Sequence, residues 1–257
     1  MTELVGDEAT SLYNDLSRGG FRRSHHLAYR PACAGCQACV PVRIVAPELV
    51  LTRSLRRIGA RGGDISARVA EPRASFEHYR MFVRYQNARH RGSEMASMTY
   101  GDFRAMIEDS PIATRLVELR GPGNMLLAAC LIDLLDDGLS AVYSYYEPHA
   151  GKRSLGTLIV LMLAEEAKRR NLPYIYLGYW VADSPKMTYK ARFRPLEGLG
   201  PQGWRRLELP TVTPPRAAPA DAGTGRSIAS SASPARRSGR GADAVRRNRP
   251  DPSAGPG

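Results

Sequence analysis

Three cysteines, Cys33, Cys36 and Cys39, stand two residues apart from one another within "YRPACAGCQACVPVRI". Thiolates at this spacing are soft metal ligands, and His25 or His26 could complete a four-ligand zinc site. The run also opens like a ferredoxin cluster motif, but the completing Cys-Pro half is absent. A cysteine-bearing turn without metal is the plain alternative. Farther along, "YLGYWVADSPKMTYKARFRPLE" interleaves Tyr176, Tyr179, Trp180 and Tyr189 with Lys186, Lys190, Arg192 and Arg194. Aromatic faces stack on nucleobases, and neighbouring cations pair with phosphates or carboxylates. Cations this dense repel unless an anion neutralises them; the alternative is a core strand with a solvated basic edge. "HAGKRSLGT" sets Lys152 and Arg153 beside glycines, ahead of an apolar helical stretch. A helix N-terminus there would cradle a phosphate. Coenzyme A-dependent acetyltransferases carry Arg/Gln-x-x-Gly-x-Gly/Ala at such a loop; Arg153 and Gly156 match, Leu158 does not. "GFRRSHHLAYRP" adds Arg22, Arg23 and Arg30. Asp133 lies in the apolar "LIDLL" and must find a partner wherever it faces inward.

The elements that must position these groups read as follows. A chain of 257 residues with 43% apolar content can build one large core or two small ones. Lys and Arg number 37 against 25 Asp and Glu, a net charge of +12. That balance favours an anionic partner such as nucleic acid or a phosphorylated cofactor. Four cysteines make no disulfide framework. The opening "MTELVGDEATSLYNDL" is acidic and polar, unlike a secretory signal, and no apolar run spans a membrane. A cytoplasmic setting without membrane partners is expected. A short helix is expected at 9–20, ending at Gly19-Gly20, then a loop-rich region with the strand "CVPVRI". Helical periodicity covers about 74–91, and Thr99 caps a further helix in "TYGDFRAMIED". Strands follow in "ATRLVELRG", "MLLAACLIDLLDDG" and "LSAVYSYYEP", then a helix after "GKRSLGT", then the strand "PYIYLGYW". The strand–helix–strand unit at 139–180 is a parallel crossover. The fold class is therefore α+β: a GNAT-like, acetyltransferase-type mixed sheet with flanking helices, preceded by a small cysteine-containing region. Three segments are expected: the cysteine-containing region 1–70, a transferase domain 71–208 and a disordered basic tail 209–257. That tail holds eight Arg against three Asp and few apolar anchors.

Taken together, "GFRRS", "YRPACAGCQACVPVRI", "RYQNARH", "LIDLLDDGLSAVYSYYEP", "SLGTLIV" and "LPYIYLGYWVADSPKMTYKARFRPLE" resemble the bacterial aspartate/glutamate leucyltransferases. These are relatives of the arginyl-tRNA–protein transferases of the N-degron pathway. The resemblance runs over about 11–200 and is most specific at 172–197. It implies an aminoacyltransferase that moves leucine from leucyl-tRNA to the N-terminal Asp or Glu of acceptor proteins, marking them for proteolysis. It implies no required cofactor. In arginyl relatives N-terminal cysteines hold an iron–sulfur cluster, so Cys33, Cys36 and Cys39 are candidates for a cluster or zinc. The family's Cys-Ser-Tyr-Leu segment is missing before the first helix, so the chain is expected to be N-terminally truncated.

For such chemistry, Asp133 and Tyr189 are the candidates to orient the acceptor amine or take its proton, and Tyr145 to stabilise the oxyanion. Lys190 and Arg192, backed by Arg22 and Arg23, would hold the acceptor's carboxylate. Lys152, Arg153 and the following helix start would face the tRNA 3′ end. Tyr179, Lys186 and Arg194 complete the expected binding set. An arginyl donor, a coenzyme A-dependent acetyltransferase and a non-enzymatic metal- and RNA-binding module are the competing readings.

Overall fold

The computed structural model describes residues 1–208, apart from the side chains of Gly151 and Lys152. The tail at 209–257 lies outside the described residues. The chain opens with β1 (Thr2–Glu3) and α1 (Ala9–Arg18). Gly20, at φ +81°, turns the backbone out of α1 in a conformation that favours glycine. There follow β2 (Arg22–Ser24), β3 (Leu27–Tyr29), β4 (Val40–Val45), α2 (Arg53–Arg61) and β5 (Ser66–Ala70). Next come α3 (Phe76–Arg89) and α4 (Tyr100–Glu108). β6 (Thr114–Arg120), β7 (Leu126–Leu134) and β8 (Gly138–Tyr146) form a meander. α5 (Leu155–Arg169) crosses over to β9 (Tyr174–Trp180), and β10 (Leu196–Gly200) and β11 (Gly203–Arg206) close the described chain.

The helix α3 was legible from its apolar spacing and the start of α4 from its Thr99 cap; both starts are capped in the structure. The Ser75 hydroxyl accepts from the His78 N–H at 3.3 Å. Thr99 and Asp102 form a reciprocal capping box, with the Thr99 N–H donating to Asp102 at 2.8 Å. The helix α2 and the strands β5, β10 and β11 were not expected. In α2 only Leu55 and Ile58 are buried among its nine residues, too few to show a period.

The large sheet has the order β11-β10-β4-β9-β8-β7-β6-β5. β8 and β9 are parallel, the expected crossover, and every other neighbouring pair is antiparallel. The sheet is thus mixed. A small sheet, β1-β3-β2, stands beside it. Strand β4 comes from the N-terminal region yet lies between β9 and β10, so that region and the rest share one sheet. Alternation along the strands builds two cores. Val117, Leu119, Ala128, Cys130 and Ile132 pack with α2 and α5 on one face. Leu116, Ala129, Leu131 and Tyr145 pack with α3 and α4 on the other. Cys130 is a fully buried core residue. Among the described residues no helix is long and apolar enough to cross a membrane.

Candidate active site

The parallel pair β8–β9 is joined over three residue pairs, Gly138–Tyr174, Leu139–Ile175 and Ser140–Tyr176. Beyond Ser140 and Tyr176 the strands part. Both carry an irregularity there. Val142 is skipped in the pairing of β8 with β7, and Leu177 in the pairing of β9 with β4. An extra residue bends and twists a strand, so two bulges facing one another open the sheet. Gly178, at φ +74°, supplies the backbone conformation on the β9 side.

Parting two strands frees edge carbonyls, which need donors. Two cations supply them. The Arg22 guanidinium donates to the Ala141 carbonyl, and to Ser140 Oγ at 3.3 Å and the Val142 carbonyl at 3.4 Å. Lys190 Nζ donates to the Leu177 carbonyl at 2.8 Å and to that of Tyr179. Lys190 is only 8% exposed. Burial, and then the neighbouring charge of Arg22, push its ammonium down to about 8. Neither cation has a carboxylate partner among the described residues. Gly178 makes room for this arrangement: a Cβ there would stand 2.9 Å from Arg22 Nε.

Beside the split lies a cleft of about 590 Å³. Tyr85, Arg89 and His90 at the end of α3, Ser144, Tyr146 and Glu147 at the end of β8, and the segment holding Pro185, Lys186 and Tyr189 line it. The start of α5, Ser154–Thr157, forms the remaining wall. Ser154 occupies the left-handed region, φ 53° and ψ 48°, and no side chain caps α5. The positive end of that helix therefore meets the cleft without a side-chain acceptor in front of it. Gly156 lets Tyr146 approach; a Cβ would lie 3.2 Å from the ring. Arg89 stands over the Tyr146 ring at 5.9 Å. Burial, Lys186 and Arg89 lower the His90 pKa.

The expected site residues fall into four places. Tyr189 and Lys186 line the cleft; burial pushes the Tyr189 phenol up to about 12. Arg153 stands at the rim, tied to Asp64 at 2.6 Å, while the Lys152 side chain lies outside the described residues. Arg22 and Lys190 occupy the strand split.

The fourth group is closed inside the fold or turned away. Asp133 does not reach the cleft. It is 0% exposed and accepts two bonds from Arg23, at 2.9 and 2.7 Å, and one from Thr114 at 3.0 Å. Arg23, itself buried, thus pins the small sheet to β7. Tyr145 faces the α3–α4 core, with its hydroxyl 2.8 Å from His78 Nδ1. The His78 Nε2 lies 3.1 Å from Glu118. Tyr179 donates to the carbonyls of Gly20 and Tyr29, both at 3.1 Å, joining β9 to the N-terminal region. Arg192 turns outward to Ser54 at 2.7 Å. Arg194 is half-buried and engaged elsewhere, and does not line the cleft. Tyr85, Arg89, His90, Ser144, Tyr146 and Glu147 were missed. "RYQNARH" and "SYYEP" were marked only by resemblance, and nothing in their spacing told which side chains met.

Cys33, Cys36 and Cys39 are exposed free thiols in the segment before β4. Among the described residues no three His, Cys, Asp or Glu side chains converge to hold a metal ion.

The sequence matches two protein families in tandem. Residues 1–57 match "Arginine-tRNA-protein transferase, N terminus", and residues 77–200 match "Arginine-tRNA-protein transferase, C terminus". The class is thus that of the aminoacyltransferases. A protein of Paramagnetospirillum magneticum called "Aspartate/glutamate leucyltransferase" is 55% identical over 207 residues, covering 80% of this chain and 85% of that protein. One of the same name from Granulibacter bethesdensis is 48% identical, covering 80% of this chain and 78% of that protein. The chain belongs to the aspartate/glutamate leucyltransferase family. Among solved structures, "The structure of L-PGS from Bacillus licheniformis" aligns with TM-score 0.44 and 12% identity, covering 71% of this chain and 53% of that one.

Proposed function

We propose that the chain transfers leucine from leucyl-tRNA to the α-amine of proteins that begin with Asp or Glu. The carrying observation is the pair of cations, Arg22 and Lys190, held in the β8–β9 split without a carboxylate partner among the described residues. Two adjacent cations bound only to neutral oxygens gain from an incoming carboxylate. The acidic side chain of the acceptor supplies it. The split itself is the GNAT-like feature of the fold: a bulged parallel pair with a helix start at its mouth.

The acceptor's carboxylate docks at Arg22 and Lys190, and its α-amine enters the cleft. The leucyl ester lies against Tyr146 and the start of α5, with the tRNA 3′ end toward Arg153 and Lys186. The amine nitrogen bonds to the ester carbonyl carbon, and the ribose oxygen leaves with its electron pair. Holding the two groups together supplies most of the gain, since the ester is already activated. The N–H groups opening α5 face the developing oxyanion. The Tyr189 phenol, with its pKa raised, stays protonated and orients groups as a donor. Glu147, the carboxylate lining the cleft, paired with Arg84 at 2.8 Å, accepts the proton the amine sheds, and that proton is passed to the departing ribose oxygen. No cofactor enters these steps. Such a reaction belongs in the cytoplasm, where charged tRNA is made, and its product carries a leucine that marks the protein for proteolysis.

The test offers labelled leucyl-tRNA, arginyl-tRNA and acetyl-coenzyme A to peptides starting with Asp, Glu, Lys or Arg. Leucine should enter only the Asp and Glu peptides. Incorporation into none of them, or arginine alone, overturns the reading.

A further inference from the structure

We propose that the exposed face of α2 docks the base-paired acceptor stem of the tRNA whose 3′ end occupies the cleft. This rests on the leucyl-tRNA reading above. α2, "RSLRRIGAR", carries Arg53, Arg56, Arg57 and Arg61 and no acidic residue. All four arginines are exposed, while Leu55 and Ile58 are buried against α5. Arg53, Arg57 and Arg61 recur every fourth residue, about 6 Å apart along one face.

This pattern works against the helix itself. Like charges four apart destabilise a helix by roughly 0.2–0.5 kcal/mol per pair. Arg53 in the first turn also opposes the positive end of the helix dipole. Many arginines among the described residues sit in ion pairs, among them Arg18, Arg43, Arg84, Arg104 and Arg153. Arg53 and Arg57 have none among the described residues, and Arg56 donates to the Leu51 carbonyl at 2.7 Å. Arg53 and Arg57, two uncompensated guanidinium groups one turn apart on a rigid helix, suit a phosphate backbone, the sequence-independent term of RNA binding.

The position of α2 fits the cleft. Both of its ends are tied to segments that line it. Ser54 accepts from Arg192, just past the Pro185–Tyr189 wall. Asp64, just past the other end, pairs with Arg153, which precedes the Ser154–Thr157 wall. Close to that end, Gly62 packs tightly against Leu158 of α5, where a Cβ would meet Leu158 at 2.7 Å. A stem leading out of the cleft past α5 therefore runs along α2.

The experiment compares the whole chain with a double variant, Arg53→Ala with Arg57→Ala, and with Arg53→Lys plus Arg57→Lys. Uncharged tRNA binding is measured by filter retention across a salt series. Leucine transfer to an Asp-start peptide is measured from leucyl-tRNA and from 3′-O-leucyl-adenosine, which has no stem. Two lost phosphate contacts should weaken tRNA binding about tenfold and flatten the log–log salt slope by about 2. Transfer from leucyl-adenosine should not change, the melting temperature should not fall, because the like-charge repulsion along α2 is relieved, and the lysine pair should restore the slope. Unchanged tRNA affinity and slope overturn the proposal, as does an equal loss with both donors. So does loss of binding to phosphatidylglycerol vesicles with tRNA affinity intact. Failure of the wild-type chain to transfer leucine from either donor sinks the leucyl reading instead; the binding slope still decides the docking surface.

Discussion

Replacing Lys190 tests the strand split in a way that pH makes quantitative. Its ammonium titrates at about 8, because burial and Arg22 disfavour the charge. Binding of the acceptor's carboxylate needs that charge. The contribution is therefore full below pH 8 and is lost as pH rises through it. The acceptor α-amine works in the opposite sense: it must lose a proton, at about 7.7–8.0. The free-enzyme profile of kcat/KM for Asp-start peptides should then be a narrow bell centred near pH 8. A hydrogen bond to a charged group is worth about 1.5–3 kcal/mol, so Lys190→Met should lower kcat/KM for Asp peptides about 10- to 150-fold near neutrality. It should also abolish the alkaline limb. Lys190→Arg, whose charge persists, should keep most of the activity at pH 7 and carry the descending limb beyond pH 10. Steady-state leucine transfer to Asp- and Asn-start peptides from pH 6 to 10 reads all of this. An alkaline limb that survives unchanged in Lys190→Arg would refute the assignment, because some other group would then be titrating.

Further outcomes follow from the same geometry. Asp133→Ala strands the Arg23 guanidinium in the core, at a cost of about 3–5 kcal/mol and a fall in Tm on the order of 10 °C by thermal denaturation. An unchanged Tm with lost turnover would restore Asp133 to the chemistry. Gly178→Ala puts a Cβ against Arg22 at a positive φ, so it should raise KM for Asp peptides about tenfold or more while leaving KM for leucyl-tRNA alone. Thr99→Ala removes the α4 capping box and should cost about 1 kcal/mol in chemical denaturation, with no change in kcat. The folded-state pKa of Lys190 is lowered, so the unfolded chain binds more protons between about pH 8 and 10.5. Wild-type stability relative to Lys190→Met should accordingly rise with pH across that window, as read by denaturant midpoints.

Much of the sheet could be read from the chain because its signals are local. Period-two patterning marks β6 to β9, Thr99 marks α4, and the change to helical spacing after "SLGT" marks α5. The strands β10 and β11 escaped notice because "LEGLGPQGWRR" has glycines where a strand would show side chains. α2 escaped because only Leu55 and Ile58 of its nine residues are buried, too few to show a helical period. The residues of the site were half legible. Lys190 and Arg22 stood out as cations expected to hold the acceptor's carboxylate, and an inward-facing Asp133 was known to need a partner. What the spacing could not give was which partner. Arg23 and Asp133 are 110 residues apart and meet because β2 lies against β8, where Ser140 is paired with Asp133 of β7. Period two also put Tyr145 and Tyr146 on opposite faces, and only the register of β8 decides which one sees the cleft. The cysteines show the converse. Their spacing is regular, but the segment holding them leaves all three thiols in solvent.

The central claim is that the two cations in the β8–β9 split select an acidic N-terminal residue. The most direct measurement is the ratio of leucine transfer to matched peptides beginning with Asp and with Asn, for the wild-type chain and for Lys190→Met. The account predicts a strong preference for Asp in the wild type that collapses in the variant through loss of the Asp rate alone. An Asp-to-Asn ratio that survives in Lys190→Met would contradict it.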